Sequence, residues 1–238
     1  MAELETELAA ARELSVPALA DAVEAIGFEC TRCGACCKGS EADPHTATVF
    51  PDEVRRLAEA ADGGRSSAAG DGSSADADGP LGWRDVARPM PFGLDDDGSG
   101  ETFEWALQTA PCGDCAFYED GPDGAGGTCT VYADRPLICE TYPFSVDVAG
   151  STPMGAVVES VGPVRAHECE GLGRDIDRPA AEALAETLKR RAVRELEEAI
   201  AVRDVYAPVG DPTDVEGGVV VHDSEGAKRA DGTRLPDA

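Results

Sequence analysis

The chain has no asparagine, only three lysines (Lys38, Lys189 and Lys228) in 238 residues, and just 5% aromatic side chains. Without asparagine there is no N-glycosylation sequon. With so few lysines and 47 Asp and Glu against 20 Lys and Arg, the net charge is −27 and no basic block interrupts it. Such a surface repels phosphates, which excludes nucleic acid as a partner. No run approaches the roughly 18 apolar residues that would signal a membrane span. The sequence opens Met1-Ala2-Glu3-Leu4-Glu5, acidic where a secretory leader needs positive charge, so a soluble cytoplasmic protein is expected. The GxGxxG, GxxxxGK-S/T and GxSxG motifs are missing, and with them any nucleotide, S-adenosylmethionine or serine-hydrolase fingerprint.

What is present offsets part of what is lacking. Apolar residues make up 42% of the chain, enough for a core built from alanine and small aliphatics, and too many for a disordered acidic protein. The acidic residues are spread through every segment. This predicts a surface adapted to molar salt, where the Debye length shrinks to about 3 Å and self-repulsion becomes tolerable.

Nine cysteines fall into groups: Cys30, Cys33, Cys36 and Cys37; then Cys112, Cys115, Cys129 and Cys139; then Cys169. An odd count, a long chain and a reducing compartment weigh against structural disulfides, and thiols at two-residue spacing point to metal. Cys30-x-x-Cys33-x-x-Cys36 is a three-ligand knuckle that suits three irons of one cubane, with small Gly34 and Ala35 allowing close approach. The ferredoxin pattern fails at its fourth position, because Cys37 follows at once. Neighbouring side chains diverge, so Cys36 and Cys37 serve different metals or opposite sides of one site. The radical-SAM spacing is absent. Zinc is the chemical rival, since Cys112, Cys115, Cys129 and Cys139 would satisfy a tetrahedral ion. Spacing alone leaves iron–sulfur and zinc open. His167, two residues from Cys169, is a candidate ligand, while His45 and His222 read as surface residues.

Around these groups the pattern predicts helices over 3–13 and 16–26, the second started by Ser15 and Pro17 and stopped by Gly27. A third helix is expected from Phe50-Pro51-Asp52 to about Ala61, then a Gly/Ser/Ala/Asp linker or insertion over 62–80. Strands are expected over 102–109, 144–149 and 155–161. A helix over 179–205, capped by Asp177, carries the stripe Leu184, Leu188, Ala192, Leu196 and Ile200, with Arg190, Arg194 and Glu198 outward. The tail after Pro208 offers only Val219-Val220-Val221 as a strand, in a small hairpin ending at Glu225-Gly226.

Two blocks carry a resemblance. Phe28-Glu-Cys30-Thr-Arg-Cys33-Gly34-Ala-Cys36-Cys37 resembles the CxxCxxCC signature of the YkgJ-type cysteine-cluster family of zinc- or iron-chelating domains. Cys129-Thr-Val-Tyr132-Ala-Asp-Arg135-Pro136-Leu-Ile-Cys139, running on to Tyr142-Pro143-Phe144, is similar to its second block. Cys115 and Cys169-Glu-Gly171-Leu-Gly173 match its other cysteine positions, so the resemblance spans about 28–173 with 62–80 inserted. It implies eight metal ligands, Cys30, Cys33, Cys36, Cys37, Cys115, Cys129, Cys139 and Cys169, and leaves Cys112 as the spare. Glu140 stands where the family commonly has arginine. Some relatives are associated with flagellin lysine N-methylation and others with oxidoreductase labels, so the resemblance implies a metal site and leaves the reaction open.

Arg135 has two readings. Either it pairs with a nearby acid while Pro136 starts a turn that swings Cys139 to the metal, or it donates toward a substrate carboxylate or a cluster's negative charge. Arg135 and Tyr132 are thus the candidate cofactor-binding residues, with Tyr132 and Tyr142 packing around the cluster.

The expected architecture is a small irregular α+β domain organised around the metal site. Helices at 1–27 precede a cysteine-cluster region at 28–173, followed by a bracing helix at 174–207 and an acidic tail at 208–238. The expected function is metal binding, with a four-iron (4Fe–4S) cluster favoured over zinc. The alternatives are a metal-dependent protein-modifying or redox enzyme acting on a protein substrate or redox partner, and a zinc-stabilised interaction module.

Overall fold

A computed structural model of the chain describes residues 2–41, 44–68, 79–121, 126–148 and 156–236. The fold is mixed α+β, with six helices and several small sheets among the described residues. The chain forms two units, Met1–Cys36 with Leu137–Ile200, and Cys37–Pro136 with Ala201–Ala238.

The first unit begins with α1 (Ala2–Glu13) and α2 (Val16–Ile26). The Ser15 hydroxyl accepts from Ala18 N at 3.4 Å, Pro17 sits in the first turn, and Gly27 at φ 78° ends α2, as the sequence predicts. α5 (Leu137–Thr141) is followed by β7 (Phe144–Val146), β8 (Val157–Val161) and β9 (Val164–His167), an antiparallel sheet in the order β7-β9-β8. The long helix α6 (Arg178–Val205) starts at Asp177, whose carboxylate accepts from Ala180 N at 2.8 Å.

The core of this unit joins Leu19, Val23 and Ile26 of α2 to Phe144, Val164 and Ala166 of the sheet and to Ala181, Ala185 and Leu188 of α6. The buried arc of α6 is therefore turned toward its alanines, with Leu184 and Leu196 packed at its edges. Small residues there let α2 and the sheet approach closely, which suits a chain poor in aromatics. Arg190 faces solvent as expected. Arg194 and Glu198 instead pair at 3.0 Å with side chains only 29% and 13% exposed, a correction to the outward placement of both. Arg178 fastens the start of α6 to α2 through Asp21 and Glu24, and bonds Glu182 one turn on.

In the second unit, α3 (Pro51–Ala68) starts where Glu53 reaches back to accept from Phe50 N at 3.1 Å. The helix runs on to Ala68, through the first part of the stretch expected to be a linker; residues 69–78 of that stretch lie outside the described residues. Asp62 explains part of the extension, because its carboxylate accepts from Leu81 N at 3.0 Å. After α4 (Trp83–Val86), the strands β1 (Thr48–Val49), β2 (Ala87–Pro89) and β4 (Trp105–Leu107) form an antiparallel sheet in the order β1-β4-β2. A second sheet joins β3 (Gly100–Thr102) in parallel to β10 (Val219–Asp223), which makes a hairpin with β11 (Gly226–Arg229). The strand expected over 102–109 is thus two strands in two sheets. A further hairpin pairs β5 (Tyr118–Asp120) with β6 (Gly127–Cys129). No helix among the described residues is long and apolar enough to cross a membrane.

Candidate metal centre

The knuckle follows directly from the end of α2. Phe28 bridges Leu172 in antiparallel fashion, Glu29 N donates to Gly171 O at 3.0 Å, and Gly173 N donates to Gly27 O at 3.0 Å. Two glycines permit this approach. A Cβ on Gly171 would lie 2.3 Å from Glu29 O, and one on Gly27 would lie 2.5 Å from Arg174 O. The Thr31 hydroxyl adds a bond to the Glu170 carboxylate. The segment carrying Cys169 is therefore laid alongside the segment carrying Cys30, although about 140 residues separate them. Arg32 (φ 57°) and Gly34 (φ 79°) both take left-handed backbone, and Ala35–Cys37 forms a 3-10 turn, so the chain coils tightly between Cys30, Cys33 and Cys36.

No disulfide joins any of the nine cysteines, all of which lie among the described residues. Burial pushes the Cys169 thiol up, the Gly171 amide pulls it back by donating to its sulfur at 3.4 Å, and Cys33, Cys36 and Cys30 push it up again. Cys30, Cys33, Cys36 and Cys169 all belong to the first unit. Tyr142 belongs to it as well. Its hydroxyl donates to Glu168 O, and its phenol is pushed up to about 12, first by burial and then by Cys169, Cys36, Glu168 and Cys33.

Cys37, Cys112, Cys115 and Cys129 belong to the second unit. Cys115 N donates to Cys37 O at 2.8 Å, Tyr118 N donates to Cys115 O at 3.0 Å, and Tyr118 is the cross-strand partner of Cys129. Asp114 accepts from Gly39 N at 2.9 Å, which holds the residues after Cys37 against this loop. Cys115 is buried and Cys112, at the loop's tip, is exposed. Cys139 lies on α5, which Arg191 holds through the Thr141 hydroxyl at 2.9 Å and Arg190 holds through Glu140 at 3.2 Å. Glu140, the departure from the family pattern, is thus an internal ion-pair partner.

Arg135 turns back on its own loop. Its guanidinium stacks 3.6 Å from the Tyr132 ring centroid and its Nε donates to Tyr132 O at 3.0 Å. Pro136 does precede the helical turn that bears Cys139. Both ring nitrogens of His167 are engaged, one with the Ser145 hydroxyl at 3.0 Å and one with Ala156 O at 3.3 Å, so this histidine has its partners without a metal. His45 is half-buried and its carbonyl accepts from Arg88 at 2.7 Å.

His222, expected at the surface, is 2% exposed. It lies on β10, the middle strand of its sheet, stacked on Phe103 and edge-on to Tyr206, 3.4 Å from Glu101. Burial pulls its pKa down while Glu101 pushes it up. The one signal in the sequence was the unbroken Val219-Val220-Val221 run, which marks a strand covered on both faces.

Among the described residues, no three His, Cys, Asp or Glu side chains form a ready-made ion site. The chemistry of the donors nevertheless fits a thiophilic metal: thiols carried on neighbouring segments, with a backbone amide aimed at the sulfur of Cys169. Thiols bind metal as thiolates, so metal binding at such residues releases protons.

A cysteine-rich chelating domain is the class of protein this arrangement defines. The CxxCxxCC family model, described as "Putative zinc- or iron-chelating domain", matches residues 29–170, more than half of the chain, and the chain belongs to that family. No curated protein and no solved structure matches it.

Proposed function

We propose that the chain is a cytoplasmic metal-chelating protein whose ligands are Cys30, Cys33, Cys36, Cys139 and Cys169 in the first unit and Cys37, Cys115 and Cys129 in the second. The observation that carries this reading is the backbone pairing of Phe28 with Leu172 and of Glu29 with Gly171, which lays the Cys169 segment alongside the start of the knuckle across about 140 residues of sequence. Three closely spaced cysteines plus one distant cysteine is the ligand pattern of a four-iron cluster, and an amide donating to a ligand sulfur is one lever that tunes such a cluster, so iron–sulfur is favoured over zinc. When bound, an iron–sulfur cluster supplies one-electron transfer. The chain's own part is to hold the thiols. The Glu29–Gly171 pairing and the Tyr142–Glu168 bond fix the segment that brings Cys169 back.

Anaerobically purified protein, analysed for iron, sulfide and zinc, tests the reading. A brown protein containing iron and sulfide is expected, and Cys169→Ser is expected to lose it. Colourless protein loaded with zinc would overturn the cluster and keep the chelation. A chain that takes up neither metal would overturn both.

A further inference from the structure

We propose that the chain holds two metal sites, that they divide between the adjacent Cys36 and Cys37, and that the second is founded on Cys37, Cys115 and Cys129. This rests on the chelation reading above and adds a site to it. A tetrahedral ion takes four thiolates and so does a four-iron cubane, so eight or nine cysteines exceed what one centre uses. Cys36 is the last residue of the first unit and Cys37 the first of the second. Both lie in the 3-10 turn Ala35–Cys37, where successive side chains diverge by roughly 120°.

Their surroundings diverge in the same way. Cys36 ends the knuckle segment, whose start is held by the Glu29 N–Gly171 O bond inside the first unit. Cys37 is tied by its carbonyl to the amide of Cys115, and Cys115 is tied by its carbonyl to Tyr118, whose cross-strand neighbour is Cys129. That backbone chain links three thiol-bearing residues within the second unit, independently of the knuckle. A thiophilic ion such as zinc, or a cluster, is the ligand class that three thiols take.

The test uses the whole native protein. Metal per chain is measured for the wild type, Cys169→Ser, Cys115→Ser and the double variant, with Cys112→Ser as a control. Each single variant is expected to lose the metal of its own site and keep that of the other, and the double variant to hold none, with Cys112→Ser unchanged. Total loss in either single variant, or full retention in Cys115→Ser, would overturn the second site. Because a variant can fail by misfolding, thiol alkylation of the wild-type protein during stepwise metal removal with EDTA, read by mass spectrometry, provides a second measurement. Cys30, Cys33, Cys36 and Cys169 should become reactive as one group, and Cys37, Cys115 and Cys129 as another. Release of all seven in a single step would refute the division while leaving chelation intact. A native chain without metal would instead refute the chelation reading itself.

Discussion

Lys228 is one of only three lysines, and it is buried, which makes its replacement a sharp test of how the second unit is held. Its Nζ lies 2.8 Å from Asp223 and 2.6 Å from Glu225, with side-chain exposures of 4% for Lys228 and 3% for Asp223. It also sits 4.7 Å over the Trp83 ring. Asp223 accepts from Trp105 Nε1 at 2.7 Å and from Glu225 N at 2.9 Å, so in Lys228→Met it would keep two donors and lose the ammonium 2.8 Å away. Leaving one partner of such a buried pair uncompensated costs about 3–5 kcal/mol. The cation–π contact adds about 0.5–2 kcal/mol to the loss. In the double variant Asp223→Asn/Lys228→Met no charge is stranded, the side-chain volumes are nearly kept, and most of the loss should return. The assay is urea unfolding followed by tryptophan fluorescence. Trp83 and Trp105 are the only tryptophans and pack edge-to-face at 5.0 Å within this cluster, so the signal is local to it. Molar KCl throughout holds surface repulsion constant, while the buried pair is screened little. A single variant within about 1 kcal/mol of wild type, or a double variant no more stable than the single, would refute the reasoning.

Two further outcomes are expected. The surface carries a charge of −27, so the thermal midpoint should rise steadily from low salt to molar KCl, and a flat or falling curve would defeat the halophilic reading. Glu225 is held down to about 2, from an ordinary 4.5, chiefly by its bonds to Arg55 and then by Lys228. A carboxylate depressed in the folded state contributes stability that is fully present above the ordinary value and is lost as pH falls through the folded one. The stability gap between wild type and Glu225→Gln should therefore be constant above about pH 5 and close toward about pH 2. A gap independent of pH across that window, measured by the same fluorescence assay, would contradict the assignment.

Local signals in the sequence were enough wherever a structure depends on near neighbours. Ser15, Pro17 and Gly27 bound α2, Asp177 starts α6, and Val219-Val220-Val221 with Glu225-Gly226 makes the terminal hairpin. Each of these rests on a cap or a turn formed within a few residues, and the spacing of Cys30, Cys33 and Cys36 is equally local. Tertiary structure decided the rest. The run from Thr102 to Thr109 alternates like one strand, yet β3 is drawn to β10 and β4 is placed between β1 and β2, because the partners lie far away in sequence. His222 is buried because its strand is the middle one of a sheet whose other members come from residues 100–102 and 226–229. The place of Cys169 beside the knuckle depends on Gly27 and Gly171 allowing two backbones to meet, and no spacing rule reaches across that distance. Residue type determines which atoms are able to bind a metal, but which of them share a neighbourhood is a property of long-range packing, where contacts between distant segments offset the entropy of bringing them together.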